Sequence, residues 1–206
     1  MTNQLSIMNS FDQRIDLDKQ GSFVNYYANY INTKQADRLF NQLLNEIAWD
    51  DSSRNMYGKI TQFKRKSSFY SLPGLKYTFS GRKFGGRTMT STMLEVLKDL
   101  EKRYNHDFNS ILFNYYQNGR DTISWHTDNE DELGENPTVG TLSLGQERPF
   151  YLRHHIDHSM KHEFLLSHGS LMVMEGKTQN YWEHSVPQRV KLDQPRLSLT
   201  LRTIKQ

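Results

Sequence analysis

The sequence predicts an α+β fold in which two helices precede a jelly-roll-like double sheet. Three observations predict it. Apolar residues recur at helical spacing in two stretches before Tyr104; they switch to short alternating runs after Ser110; and no Pro- or Gly-rich linker, repeat or low-complexity run divides the 206 residues.

The elements follow in order. Thr33 is a capping residue type, and behind it Ala36, Leu39, Phe40, Leu43, Leu44 and Ile47 fall at helical spacing. A second helix spans Thr92 to Arg103 and buries Met93, Leu94, Leu97 and Leu100. Short strands then lie near 111–116, 139–145, 150–154, 163–167, 170–175 and 196–204.

Composition narrows the class. A chain of 206 residues suits one domain with a substantial core. With no cysteine there is neither a disulfide framework nor a thiolate metal site. The polar N-terminus lacks the apolar stretch of a signal peptide, and no run approaches a membrane span. The expectation is a soluble intracellular monomer, cytoplasmic in a bacterium or nuclear in a eukaryote, with no membrane partner. Net charge is only +3, so nucleic-acid binding does not follow from bulk charge. Distribution says more. Lys59, Lys64, Arg65, Lys66, Arg82, Lys83 and Arg87 are interleaved with Tyr57, Phe63, Phe69, Tyr70 and Phe84, which suits a surface for phosphates and bases.

The residues that carry chemistry are His126-Thr127-Asp128, then His184, then Arg196 and Arg202. Two imidazoles and one carboxylate can occupy one face of an octahedral metal and leave the other open, the arrangement of non-haem Fe(II) oxygenases. In an extended segment His126 and Asp128 point the same way while Thr127 points away. A second His-x-Asp, His155-Ile156-Asp157, sits among His154, His158, Ser159, Lys161 and His162, and a solvated turn is its simpler reading.

Arg196 through Arg202 alternates strictly, with Leu197, Leu199 and Leu201 on one face and Arg196, Ser198, Thr200 and Arg202 on the other. This is either an edge strand with a solvated face or the wall of a site for a dianion, held by guanidinium forks. A straight strand separates the two arginine α-carbons by roughly 20 Å. Their arms must therefore converge on one ligand, or one of them must support Asp128. Asn114 and Tyr116 share a face with Leu112 on the strand leading toward His126, and could join the same cup or simply pack.

These residues resemble those of the AlkB family of Fe(II)- and 2-oxoglutarate-dependent dioxygenases. The motifs run from about Tyr57 to Arg202: Asn114-Tyr115-Tyr116, His126-Thr127-Asp128, His184-Ser185 and Arg196 through Arg202. The resemblance implies a double-stranded β-helix with the N-terminal helices packed outside. Residues 1–50 would be an extension and helix, 51–109 a nucleotide-recognition region and 110–206 the catalytic core. It also implies iron on His126, Asp128 and His184, with 2-oxoglutarate among Asn114, Tyr116, Arg196, Ser198, Thr200 and Arg202. With O2, such an enzyme decarboxylates 2-oxoglutarate to succinate and hydroxylates an N-methyl group, which leaves as formaldehyde.

A second layer of similarity points to the subgroup that repairs alkylated duplex DNA. By that similarity Tyr77, Phe79, Ser80, His126 and Glu130 would surround a flipped base of the 1-methyladenine or 3-methylcytosine type. Tyr57-Gly58-Lys59 would form a finger that fills the gap, and Arg65, Lys66, Arg189 and Lys191 would meet phosphates. Two departures from the subgroup are visible. Val190 interrupts the basic loop, and Asn129 replaces an acidic residue beside Glu130. The alternatives are an RNA or single-strand demethylase of the same family and a non-catalytic nucleic-acid-binding jelly roll.

Overall fold

The computed structural model describes residues 13–50, 53–56, 59–62, 65–79, 82–104 and 106–205. In chain order they form β1 (Gln13–Asp16), β2 (Ser22–Tyr27), α1 (Thr33–Glu46), β3 (Ser53–Met56), β4 (Lys59–Gln62), β5 (Lys66–Ser71), β6 (Lys76–Phe79), β7 (Arg82–Gly85), β8 (Arg87–Thr88) and α2 (Ser91–Tyr104). Then come β9 (Ser110–Tyr116), β10 (Ile123–His126), β11 (Val139–Gly145), β12 (Arg148–His154), β13 (Lys161–Leu166), β14 (Ser170–Gly176), α3 (Thr178–Tyr181), β15 (Trp182–Val186) and β16 (Arg196–Arg202).

An eight-stranded sheet has the order β1-β2-β14-β11-β16-β9-β5-β8, and a four-stranded sheet has the order β10-β15-β12-β13. Helices lie on the larger sheet, as the double-stranded β-helix reading expects. The hairpins β3-β4 and β6-β7 stand apart as two-stranded sheets.

Alternation along the central strands sorts side chains into two layers. Leu197, Leu199 and Leu201 of β16, Ile111 and Phe113 of β9, and Leu142 and Leu144 of β11 share one core with Leu43 of α1 and Met93, Leu97 and Leu100 of α2. The other face looks into the jelly roll, where Tyr116, Val139, Phe150, Leu152, Met174, Trp182 and Val186 form a second core. Burying these side chains contributes on the order of 25 cal/mol per Å² of apolar surface and fastens both sheets.

β16 is no edge strand. It pairs with β9 on one side and β11 on the other, with Arg196 opposite Tyr116 and Gly145, and Ser198 opposite Asn114 and Ser143. Its polar face is therefore interior, and Arg196, Ser198 and Arg202 are all buried.

Local details differ from expectation in two places. The cap of α1 is Asn32, one residue earlier than Thr33: its side chain accepts from Gln35 N–H at 3.0 Å while the Gln35 side chain accepts from Asn32 N–H at 3.3 Å. Leu94 is 36% exposed, because the stripe Met93, Leu97, Leu100 already fills the face of α2 turned to the sheet and Leu94 lies a step round the helix.

Candidate metal centre and co-substrate pocket

β10 and β15 are antiparallel neighbours, with His126 directly opposite His184. Their register shifts between Ile123 and His126, a bulge that turns the end of β10 so that both imidazoles face the jelly-roll interior. The ring centroids are 4.2 Å apart. Asp128, two residues beyond His126, is fully buried, and His184 Nε2 lies 3.8 Å from its Oδ2. One donor atom from each of His126, Asp128 and His184 falls within 4.8 Å of the others, the one such group of His, Cys, Asp and Glu among the described residues.

Each ligand is held from behind. His126 Nδ1 lies 2.8 Å from the Ser124 carbonyl, which can only accept, so Nδ1 carries the proton and Nε2 is the acceptor nitrogen. Phe150 stacks on His184 at 5.2 Å. Arg202 Nη2 donates to Asp128 Oδ1 at 2.7 Å, and the backbone N–H of Asp128 donates to Gln179 Oε1 at 2.9 Å. Asp128 Oδ2 is buried with no hydrogen-bond partner among the described residues. A buried carboxylate oxygen aimed at two imidazoles fits a divalent metal, and this donor set fits Fe(II).

Electrostatics agree with that fit. Burial alone would raise the Asp128 carboxyl, but the charge of Arg202, helped by the two imidazoles, outweighs it and lowers the pKa to about 2. Burial, assisted by the charges of His126 and Arg202 and opposed by Asp128, lowers His184 to about 3. His126 is also lowered, chiefly by burial. One carboxylate and two neutral imidazoles is the protonation state that a metal takes.

Beside the triad, Leu112, Asn114, Tyr116, Thr141, Arg196, Ser198 and Thr200 line the same cavity. Arg196 Nε donates to Ser143 Oγ at 2.9 Å and Nη2 reaches Ser198 Oγ at 3.4 Å, while Nη1 is buried with no partner among the described residues. Burial lowers its pKa to about 10, so it stays cationic at neutral pH. All six expected co-substrate residues thus line one cavity, with Arg202 already engaged by Asp128. Arg65, expected at phosphates, is half-buried and reaches inward: Nε donates to Asn114 Oδ1 at 2.8 Å and Nη1 to the Thr122 carbonyl at 3.3 Å.

The rival pair is a turn. Asp157 Oδ1 accepts from Ser159 N–H at 3.0 Å and the neighbouring His154 Nδ1 accepts from Asp157 N–H at 3.1 Å, while the exposed His155 ring lies 5.3 Å from that of His154 and 6.1 Å from that of Tyr181, so Asp157 serves the turn and His155 packs beside it. Tyr57, Gly58 and Ser80 lie outside the described residues. Lys59 begins β4, and Tyr77 and Phe79 stand on β6, with side chains outside the described residues. Glu130 is half-buried and stands at the N-terminal boundary of the short turn Asp131–Leu133. Lys66 and Lys191 are exposed. Arg189 hydrogen-bonds the Tyr151 hydroxyl, and its guanidinium carbon lies 5.5 Å from the centroid of that ring.

Gln179 and Arg148 are absent from the sequence reading. Gln179 sits in the polar run Glu175-Gly176-Lys177-Thr178-Gln179-Asn180, where no local signal singles it out. Arg148 sits in an unremarkable Glu-Arg-Pro run, and nothing local marks it.

The sequence matches the model of the 2OG-Fe(II) oxygenase superfamily over residues 23–202, reaching well before Tyr57, where the motifs begin. It is 32% identical over 187 residues to alpha-ketoglutarate-dependent dioxygenase alkB homolog 3 of Homo sapiens, covering 86% of this chain and 65% of that protein. The chain therefore spans less than two thirds of the length of that relative. It is 31% identical over 180 residues to DNA oxidative demethylase ALKBH2 of Mus musculus, covering 82% of this chain and 75% of that protein. The solved structure of OsALKBH1 matches with a TM-score of 0.61 at 15% identity, over 87% of this chain and 97% of that one, a likeness of fold. On the matched length, the identity and the shared architecture, the chain belongs to the 2OG-Fe(II) oxygenase superfamily and, within it, to the AlkB family.

Proposed function

We propose that this protein is an Fe(II)- and 2-oxoglutarate-dependent dioxygenase that demethylates N-alkylated bases of the 1-methyladenine and 3-methylcytosine type in DNA. The observation that carries the reading is the His126, Asp128, His184 group, with Asp128 and His184 buried, opening onto a cavity lined by the buried Arg196 guanidinium, whose Nη1 has no hydrogen-bond partner among the described residues. The names of the relatives, dioxygenase and DNA oxidative demethylase, support the same class.

His126, Asp128 and His184 would hold the iron, and Arg196 with Tyr116, Asn114, Ser198 and Thr200 would take 2-oxoglutarate. Iron bound with 2-oxoglutarate and O2 supplies an oxidative decarboxylation that hydroxylates an N-methyl group, yielding succinate, carbon dioxide and a hemiaminal that collapses to formaldehyde and the restored base. The protein supplies positioning. Arg202 keeps Asp128 anionic and fixes its orientation, and burial keeps His184 neutral.

Alkylation at N1 of adenine or N3 of cytosine breaks pairing and makes the base cationic, which lowers the cost of flipping it. Tyr77 and Glu130 are the residues assigned to that cationic base, one by its π face and one by its charge. Tyr57, Lys59, Lys66 and Lys191 are assigned to duplex DNA. A second reading, a single-stranded DNA or RNA substrate, is favoured by Arg189, whose guanidinium is committed to Tyr151. The deciding experiment is formaldehyde release, measured against succinate, from methylated duplex DNA, single-stranded DNA and RNA with Fe(II), 2-oxoglutarate and O2. Stoichiometric release from DNA is expected; release from none of the three defeats the reading.

A further inference from the structure

We infer that Arg148 is a second buried cation of the 2-oxoglutarate pocket, acting across the ring of Tyr116 to favour a dianionic co-substrate. The inference rests on the proposed 2-oxoglutarate site and deepens it.

Arg148 begins β12 and is 1% exposed. Its guanidinium donates to the carbonyls of Asn118 at 3.2 Å, Asp121 at 2.9 Å and Pro187 at 2.8 Å, and its buried Nε has no partner among the described residues. Those contacts satisfy hydrogen bonds but neutralise no charge. Neither Arg148 nor Arg196 forms an ion pair with a carboxylate among the described residues. Asp121, whose Oδ2 also accepts from the Gln117 backbone N–H, offsets part of the Arg148 charge from beyond ion-pair distance.

The two cations share one neighbour. The guanidinium carbon of Arg148 lies 5.5 Å from the Tyr116 ring centroid, and that of Arg196 lies 5.2 Å from it. They repel: burial is the main cause that lowers the Arg196 pKa, and the charge of Arg148 adds to it. Burying two mutually repelling guanidiniums with no paired acid among the described residues, and only the distant Asp121 to offset one of them, is costly, so their charges need a further counterpart.

Clamping loops does not explain the charge. The segment 117–122 and the segment 187–192 are already joined, because Gly119 N–H donates to Leu192 O at 2.8 Å and Arg189 N–H donates to Gly119 O at 2.7 Å. A Cβ at position 119 would lie 1.8 Å from the Arg189 carbonyl oxygen, so this join needs glycine. A neutral donor at 148 could still reach a carbonyl. What only a cation supplies is a field over the cavity, where Tyr116 and Arg196 line the wall and Phe150, two residues along β12, lines it as well.

The test is calorimetric binding to the Fe(II)-loaded protein without oxygen, so that no turnover occurs. Two ligands are compared: 2-oxoglutarate, and 2-oxopentanoate, which has a methyl group where 2-oxoglutarate has its distal carboxylate. Arg148→Gln is expected to weaken 2-oxoglutarate about tenfold and 2-oxopentanoate by about twofold or less, because a lost field acts on charge. Arg148→Lys keeps the charge while losing most of the carbonyl contacts, and should bind both ligands within about threefold of the parent. Equal weakening of both ligands in Arg148→Gln overturns the inference. Should that variant not fold, an Arg148→Lys protein that folds but loses the preference for the dianion overturns it too. Arg196→Gln is the control: if it and the parent bind the two acids alike, the pocket assignment itself has failed.

Discussion

Arg202, the last residue of β16, donates to Asp128 Oδ1 at 2.7 Å, so the second arginine of the alternating strand serves the metal ligand. Arg196 lies six residues away at the other end of the strand, over Tyr116. The two guanidiniums therefore divide the work, one at the metal ligand and one over Tyr116.

That division is testable. Arg202→Ala should weaken Fe(II) binding by about tenfold or more and destabilise the protein by about 3–5 kcal/mol, because it leaves the Asp128 charge buried without its partner. Arg196→Ala should raise the KM for 2-oxoglutarate while leaving Fe(II) affinity within about twofold. Metal titration and co-substrate kinetics on both variants distinguish these outcomes. A loss of metal binding in Arg196→Ala, with none in Arg202→Ala, would reverse the assignment.

Replacing any one of His126, Asp128 and His184 by alanine should abolish formaldehyde release, since two remaining protein ligands do not hold and orient Fe(II). His155→Ala with Asp157→Ala should retain activity, because Asp157 serves a surface turn and His155 is exposed beside it. An essential His155 alongside a dispensable His126 would move the metal site.

Gln179→Leu should reduce Fe(II) affinity and lower stability by about 1–3 kcal/mol, the cost of leaving the buried Asp128 N–H without an acceptor. The Gln179 amide also donates to Met174 Sδ at 3.5 Å, so both ends of the side chain are used. Recovery of metal affinity in Gln179→Glu, which restores an acceptor, separates a role in holding Asp128 from packing alone. Unchanged affinity in Gln179→Leu counts against any such role.

Much of the site was legible because ligand chemistry restricts residue type and spacing. His126 and Asp128 stand two apart, and Arg196 to Arg202 alternates without a break. The alternation was ambiguous in one respect: an exposed edge and a lined cavity have the same period, and only pairing on both sides of β16 decides. Less of the N-terminal fold was visible. β2 pairs with β14 and β5 with β9, so segments read as an extension and a recognition region supply strands to the larger sheet. The aromatic and β-branched residues of Phe23-Val24-Asn25-Tyr26 were a usable strand signal for the first of these. Arg148 and Gln179 were invisible because their roles depend on partners 27 to 51 residues away in sequence.

Tyr57→Ala should reduce demethylation of duplex DNA more than of a methylated single strand. A wedge is needed only where a stacked, paired helix has to be opened, and an aromatic ring filling the vacated space offsets part of an unstacking cost of a few kcal/mol. Lys191→Ala should act in the same direction through phosphates, with the larger effect at low salt. Arg189→Ala is different: the Arg189 guanidinium hydrogen-bonds the Tyr151 hydroxyl and lies over that ring, so its loss should lower thermal stability as well as activity. The measurement is kinetic, with the parent and each variant acting on one methylated oligonucleotide, alone and annealed to its complement. A duplex-specific loss in Tyr57→Ala supports the finger, whereas equal losses on both substrates remove it and leave the single-strand reading, which the commitment of Arg189 to Tyr151 already favours.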